Sequence, residues 1–277
     1  MNLHKSVKRF ATESFTDPYN ALTPALKGRL TVFNEVTNSG QSSRRRILEL
    51  QPELTVFVNN VVTLNSENFV VGYGNQDMWK GEVIRVKYPV LPVGATSKVS
   101  SVYQILSATL PTRNVYGHPI FIKDVALEKQ ESEIYSNFSF YFPRNEAVTK
   151  GKIVVHNSSN YYRVRNVPFV DNAGFLVADV TLLESPLQTL TFSSAGTYDP
   201  VTDTSIAPTT QSIQAFVEEA YLYYDNTSER FAELKPGDKT ITIKPTIVPK
   251  VADTVGAFRI LSISVDADDC SICHCRP

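Results

Sequence analysis

Apolar and polar residues alternate with a period of two along most of the chain. RLTVFNE (29–35), LTVFV (54–58), NFVVGY (68–73) and EVIRVKY (82–88) each send successive side chains to opposite faces, which predicts half-buried strands. FSFYF (138–142), KIVVH (152–156), YYRVRNV (161–167) and GFLVADVTLL (174–183) continue the series. FVEEAYLYY (216–224), DKTITIKPTI (238–247) and AFRILSISV (257–265) follow. One stretch departs from it: VSSVYQILSATL (99–110) places Val99, Val102, Tyr103, Leu106 and Leu110 on one side at helical spacing. Many short strands with turn residues between them predict a mainly β protein with little helix, two small antiparallel β-barrel or sandwich domains in tandem.

Turn and linker chemistry divides the chain further. SSAGTYDPVTDTSIAPTT (193–210) is rich in Ser, Thr, Pro and Gly and reads as a linker. The expected order is an N-terminal arm (1–27), a first β domain (28–190) with a long insertion near 89–136, a linker (191–210), a second barrel (211–269) and a tail (270–277). Three stretches share one plan: VVTLNSENFVVGYGN (61–75), KIVVHNSSNYYRVRNV (152–167) and DTVGAFRILSISV (253–265). Each has a strand, a polar turn, an aromatic (Phe69, Tyr162, Phe258) and a second alternating strand. Either an internal repeat or the generic β-hairpin accounts for that plan.

Composition agrees with a folded chain: 42% hydrophobic and 20% charged residues support a sizeable core. The basic opening MNLHKSVKRF is not followed by an apolar run, and no stretch approaches the roughly 18 apolar residues of a membrane span. A soluble protein without a membrane partner is expected. Charge is uneven. Residues 1–100 carry 12 Lys+Arg against 8 Asp+Glu, whereas residues 191–277 carry 7 against 12. That asymmetry allows a basic end facing a polyanion and an acidic end facing a protein.

Chemistry is sparse. No nucleophile elbow, phosphate loop or zinc-protease motif is present. GYGNQD (72–77) begins like a dinucleotide fingerprint, but Asp77 stands where the third glycine belongs, and a turn is the better reading. His4, His118 and His156 are scattered, and the DADD run (266–269) lacks the glycine and distal glutamate of a calcium loop. Glu218 and Glu219 point to opposite faces of a strand. No enzyme, cofactor or metal is expected. Arg44, Arg45 and Arg46 form the most pointed basic feature, suited to a surface turn, to DNA phosphate or to an acidic partner. The ending CSICHCRP holds Cys270, Cys273, Cys275 and His274. It fits a haem-attachment pattern and offers zinc donors, but their crowding and the cytoplasmic reading favour a flexible tail with reduced thiols.

AYLYYDNTSERFAELKPGDKTITIKPTIVPKVADTVGAFRILSISVDAD (220–268) resembles the head-completion, or stopper, proteins of the tailed-bacteriophage neck. Gly237 and Asp238 match that family's Gly-Asp step, and TITIKP (240–245) the strand after it. Pro249, Asp253 and Val255 match its proline–aspartate segment, and AFRILSISV its last strand. The earlier barrel region also looks like longer phage neck proteins. The resemblance implies a virion structural protein, assembled in the host cytoplasm. It would form a homo-oligomeric ring below the portal that closes the DNA-filled head and docks the tail. Implied partners are portal or adaptor and tail proteins, with non-specific contact to packaged DNA. The 89–136 insertion is expected to carry subunit or portal contacts or to line the channel. Alternatives are a tail or baseplate component and a carbohydrate- or receptor-binding β module, for which NYYRV (160–164) offers aromatics.

Overall fold

The computed structural model describes residues 13–16, 26–32, 35–36, 42–43, 46–50, 61–121, 138–199, 201, 203–220 and 235–277. The predicted strand 54–58 lies outside them, as do Arg44 and Arg45. The described residues of Met1–Val99, Arg113–Ala126 and Ser136–Thr181 form one compact unit; those of Ser100–Thr112 and Leu182–Pro277 form another.

The first unit opens with β1 (Glu13–Phe15), β2 (Leu26–Val32), the small hairpin β3 (Glu35–Val36) and β4 (Ser42–Ser43), and β5 (Arg46–Leu50). Then come β6 (Val61–Leu64), β7 (Glu67–Val71), β8 (Asn75–Trp79) and the long β9 (Glu82–Val93). Their sheet runs β1-β2-β5-β9-β7-β6, with β8 alongside β9. Thr16 and Thr63 exchange two backbone hydrogen bonds, 3.0 and 2.8 Å, which bring β6 back to the β1 end and close the ring.

A second set follows: β10 (Thr96–Ser100), helix α1 (Val102–Leu106), β11 (Val115–Tyr116), β12 (His118–Phe121) and β13 (Phe138–Pro143). It ends with β14 (Ile153–His156), β15 (Asn160–Val164), β16 (Phe169–Val170) and β17 (Phe175–Leu183). The sheet order is β11-β10-β14-β15-β17-β13-β12. β11 and β12 are one run interrupted at Gly117, so the chain itself closes this ring.

The second unit holds β18 (Leu187–Ser193), the hairpin β19 (Thr197–Asp199) and β20 (Thr204–Ile206), β21 (Thr210–Glu219) and β22 (Lys239–Ile243). β23 (Thr254–Val255), β24 (Phe258–Val265) and β25 (Ser271–Arg276) complete a closed barrel of order β18-β21-β22-β25-β24-β23. The protein is mainly β with little helix and built of small β-barrels in tandem, as its alternation predicts, with two rings in the first unit and one in the second.

The three barrels share one topology. With the six ring strands of each lettered a to f in chain order, every ring runs a-b-c-f-e-d and back to a. Strand a is β1, β10 or β18; b is β2, the β11–β12 run or β21; c is β5, β13 or β22. Strand d is β6, β14 or β23; e is β7, β15 or β24; f is β9, β17 or β25. Two three-stranded meanders, abc and def, therefore lie edge to edge, joined by the pairing of f with c and of d with a.

The cores match position by position. Val62 stands opposite Phe69, Val154 opposite Tyr162 and Val255 opposite Phe258, each a d–e pair belonging to its own core. These are the three aromatics of the sequence repeat, so the repeat is structural and not a coincidence of hairpins. Across the c–f ladder the equivalent core pairs are Leu48 with Tyr88, Phe140 with Ala178 and Ile241 with Cys273. Strand b contributes a small residue beneath strand c. A Cβ on Gly28 would lie 2.6 Å from Leu50 Cδ2, and one on Gly117 would lie 2.7 Å from Phe142 Cε1. In the third barrel Ala215, fully buried, pairs with Ile243. A narrow barrel has room for large side chains on some strands only if others stay small. Beyond Val71, Val164 and Ile260 strand e breaks, at Gly72–Gly74, at 165–168 and at a bulge before Ser262, and the chain then resumes against f.

Barrels one and two rest on each other within the first unit. Val61, Val70, Leu91 and Val93 of the first bury against Tyr116, Phe175 and Val177 of the second. The GYG break supplies a second tie: Tyr73 donates its N–H to Ala173 O at 2.6 Å, and Arg144 lies over its ring. A Cβ on Gly72 would stand 2.1 Å from that same carbonyl, which is why the close approach takes glycine.

Three expectations change. Residues 191–210 carry the end of β18, the β19–β20 hairpin and the start of β21, with Thr191, Ser205 and Thr210 exposed strand positions. The described part of the 89–136 insertion is β9, β10, β11 and β12, which are barrel strands, together with α1. α1 is shorter than predicted. Ser101 and Gln104 form a capping box at its start, and its buried face is Val102, Ile105 and Leu106, while Tyr103 and Leu110 are exposed. The helix belongs to the second unit and lies against β21. Finally, 270–277 is not a tail: β25 is the sixth strand of the third barrel.

Strand d is entered through the same turn in two barrels. Thr149 to Lys152 and Lys250 to Asp253 each close a four-residue turn, and the residue before last has positive φ, +85° at Gly151 and +81° at Ala252. Gly151 then donates to Val164 O and Ala252 to Ile260 O, at 2.9 and 3.0 Å. Ala252 pays a steric penalty that Gly151 avoids. Replacing Ala252 by Gly is expected to stabilise the third barrel by about 0.5–1 kcal/mol. All three cysteines lie in that barrel, so thiol labelling in a urea series reads its opening selectively. An unchanged or lower midpoint would contradict the strain.

Candidate functional site

The residues that carry the phage resemblance gather on two turns of the third barrel. Lys235-Pro236-Gly237-Asp238 leads into β22. Asp238 N bonds Lys235 O at 3.0 Å, Gly237 takes φ +90°, and Pro236 precedes it, the residue pattern of a type II turn. The Asp238 carboxylate is buried and accepts from four directions: Lys235 N–H (3.0 Å), His274 Nε2 (3.0 Å), and Arg276 Nε and Nη2 (2.8 Å each). Arg276 first, then the Lys235 N–H and His274, hold its pKa far below the usual carboxylate range, against the opposing effect of burial. The loop before β22 is thereby riveted to β25.

Asp253 does the same work before β23. One carboxylate oxygen accepts Lys250 N–H at 2.8 Å, and the other accepts Ala195 N–H at 2.8 Å from the start of the β19–β20 excursion. Lys-x-x-Asp thus occurs twice, each time as a buried carboxylate that closes its own turn and holds a distant segment. Gly237 supplies one turn's positive φ, and Pro249 is buried directly before the other turn.

An Asp beside a His, with Thr240 across the ladder from His274, has the residue types of a catalytic triad. All three are buried, at 2%, 2% and 0% exposure. They lie on the outer face of the β21–β22–β25 wall, in one row with buried Glu218. Glu218 and Glu219 point to opposite faces, as expected, and Glu219 pairs with Lys239.

Cys273 and Cys275 face the barrel interior, at the core positions that barrel two fills with Ala178 and Val180. Burial pushes the Cys273 thiol up to about 12, with the Asp253 charge adding to it. Burial raises Cys275 further, and Cys270, beside Asp266, Asp268 and Asp269, rises to about 11. Among the described residues no group of His, Cys, Asp and Glu is arranged to hold a metal ion. The cysteines act as small apolar fillers. The DADD run is the β24–β25 turn: Asp266 accepts the N–H groups of Asp268 (2.9 Å) and Cys270 (2.8 Å).

The remaining sequence candidates are dispersed. Arg46 caps the mouth of the first barrel, paired with Glu67 at 3.0 Å and lying 5.2 Å over the Phe69 ring. His156 bonds Ser97 at 2.9 Å among the rings of Phe140 and Tyr162. Tyr162 of the NYYRV stretch is a core residue, and Tyr161 is half-buried. Sequence reasoning singled out Asp238 and Asp253 but not His274 and Arg276 as partners of Asp238, because the link spans 36 and 38 residues.

In the native protein the three thiols are expected to stay unreactive toward a disulfide reagent on the timescale that labels all of them in urea; prompt native labelling would remove β25 from the barrel. Asp238→Ala removes the acceptor shared by the Lys235 N–H, His274 and Arg276 and should cost about 1–3 kcal/mol. Because the Asp238 pKa is lowered on folding, its contribution is complete above the ordinary carboxylate value of 3.8 and fades as pH falls below it. Thiol exposure against pH reads this, and a variant that opens no more readily than wild type contradicts it.

Comparison with family models, with curated proteins and with solved structures gives no match.

Proposed function

We propose that this protein is a structural component of the virion neck of a tailed bacteriophage. It forms a homo-oligomeric ring below the portal, closes the filled head and presents a docking surface to the tail. It works by surface complementarity and not by catalysis. One observation carries the reading: Gly237, Asp238, Pro249 and Asp253, the residues of the stopper-like motif, sit on or beside two turns that clamp the ends of one closed barrel. A motif whose aspartates hold loops rigid suits a protein whose loops must meet neighbours without reordering.

The architecture is compatible with that role. The ring strands are paired on both sides, which favours contact between copies through loops and outer faces over strand addition. The third barrel offers Val201, Val248, Val251 and Val265 on loops and a strand end at one of its ends, exposed by 91, 79, 61 and 62%. Among the described residues no helix is long and apolar enough to cross a membrane. Arg44 and Arg45 remain candidates for packaged DNA, while Arg46 is engaged with Glu67.

Mixing the purified chain with portal protein and imaging by electron microscopy tests the proposal. Rings seated on the portal are expected. A chain that neither binds portal nor appears in purified virions would overturn it, and density in a baseplate would move it to the tail.

A further inference from the structure

The packing of barrel one on barrel two marks one barrel face as an interface. On barrel two that face is Tyr116 of strand b, Tyr141 of c, and Phe175 and Val177 of f. The strand-by-strand match puts Lys27, Glu49, Arg85 and Lys87 at the same four positions of barrel one. There the face is open. Lys27 is exposed, and the side chains of Glu49, Arg85 and Lys87 keep 16, 34 and 33% of their surface. Asp77 of β8 pairs with both Arg85 and Lys87, Arg29 is exposed two residues from Lys27, and Met78 beside Asp77 is 54% exposed. Cations outnumber carboxylates on this face, and an apolar residue lies at its border.

The other end of the chain has the complementary character. Residues 191–277 carry 7 cations against 12 carboxylates. The valine-bearing end of the third barrel, where β18, β22 and β24 finish, displays exposed Asp203, Asp268 and Asp269 and half-buried Asp266 against exposed Lys250 and half-buried Lys244, a net negative charge. We propose that the basic face of barrel one is where a second copy of this chain seats the acidic, valine-tipped end of its third barrel. Such a contact uses two different surfaces, so it propagates head to tail and closes into a ring when the rotation allows. It deepens the ring reading above and rests on it only for the ring's place in a virion. Nucleic acid is the poorer occupant, because Asp77 and Glu49 stand among the cations and would repel phosphate, whereas the valines have use only against protein.

Sedimentation velocity of the full chain tests this in about 0.05 M and about 0.5 M salt, a range over which charge interactions shorten severalfold in reach. Association at low salt should weaken at least about tenfold at high salt. Lys27→Glu and Asp268→Lys should each weaken it similarly, and an equimolar mixture of the two variants should restore part of it. Val248→Asp should weaken it without altering thiol protection. A monomer at low salt, or association indifferent to both charge reversals, overturns the proposal. So does duplex DNA binding lost on Lys27→Glu, which assigns the face to nucleic acid. Salt-sensitive assemblies that ignore portal protein would leave this interface standing and defeat the neck reading.

Discussion

Pairing of the last strand of each barrel with the third is the constraint on which the structure depends. Without the c–f ladder each barrel is two three-stranded meanders with exposed edges and a split core. With it, Leu48 meets Tyr88, Phe140 meets Ala178, and Ile241 meets Cys273, and the interior is sealed. This pairing is non-local, joining halves separated by a crossover, and loop closure opposes it; only the d–a pairing, such as Phe192 with Val255, spans more chain. The turns that enter strand d, and the carboxylates that hold them, fix where the second meander begins and hence its register against the first.

That dependence explains the division of labour among charged residues. Asp238 and Asp253 are buried because a short side chain that satisfies its own turn has oxygens left for another segment. Asp238 ties strand f to the entry of strand c, so the same residue sets the turn and helps close the ring. Arg46 and Lys239 stand at equivalent mouths of barrels one and three and are each paired with a glutamate. Partly exposed charges lie elsewhere, on the outer face of barrel one and on the loops of barrel three.

Much of this was legible in the sequence, and the parts that were not have physical reasons. The d–e hairpins were visible because each is local, alternating, and marked by an aromatic opposite a valine. Phe69, Tyr162 and Phe258 recur at the same step, but a repeat and a generic hairpin look alike at that range, and two domains were expected. Strand f of the third barrel was not visible. CSICHCR is buried on both faces, so it lacks alternation, and its residues have stronger associations with metals than with cores. The β18–β21 region was hidden by Ser, Thr, Pro and Gly, which read as a linker but form a hairpin on a barrel rim. The site residues came from resemblance alone. Their partners Ala195, His274 and Arg276 lie too far along the chain for spacing to reveal.

Backbone hydrogen exchange of the intact native protein tests the central claim, that three equivalent closed rings each depend on strand f, most directly. The amides of 271–276 should be protected to the same order as those of 82–93 and 175–183, the f strands of the other two barrels. Exchange of 271–276 at the rate of an unstructured peptide, with the other two strands protected, would contradict it.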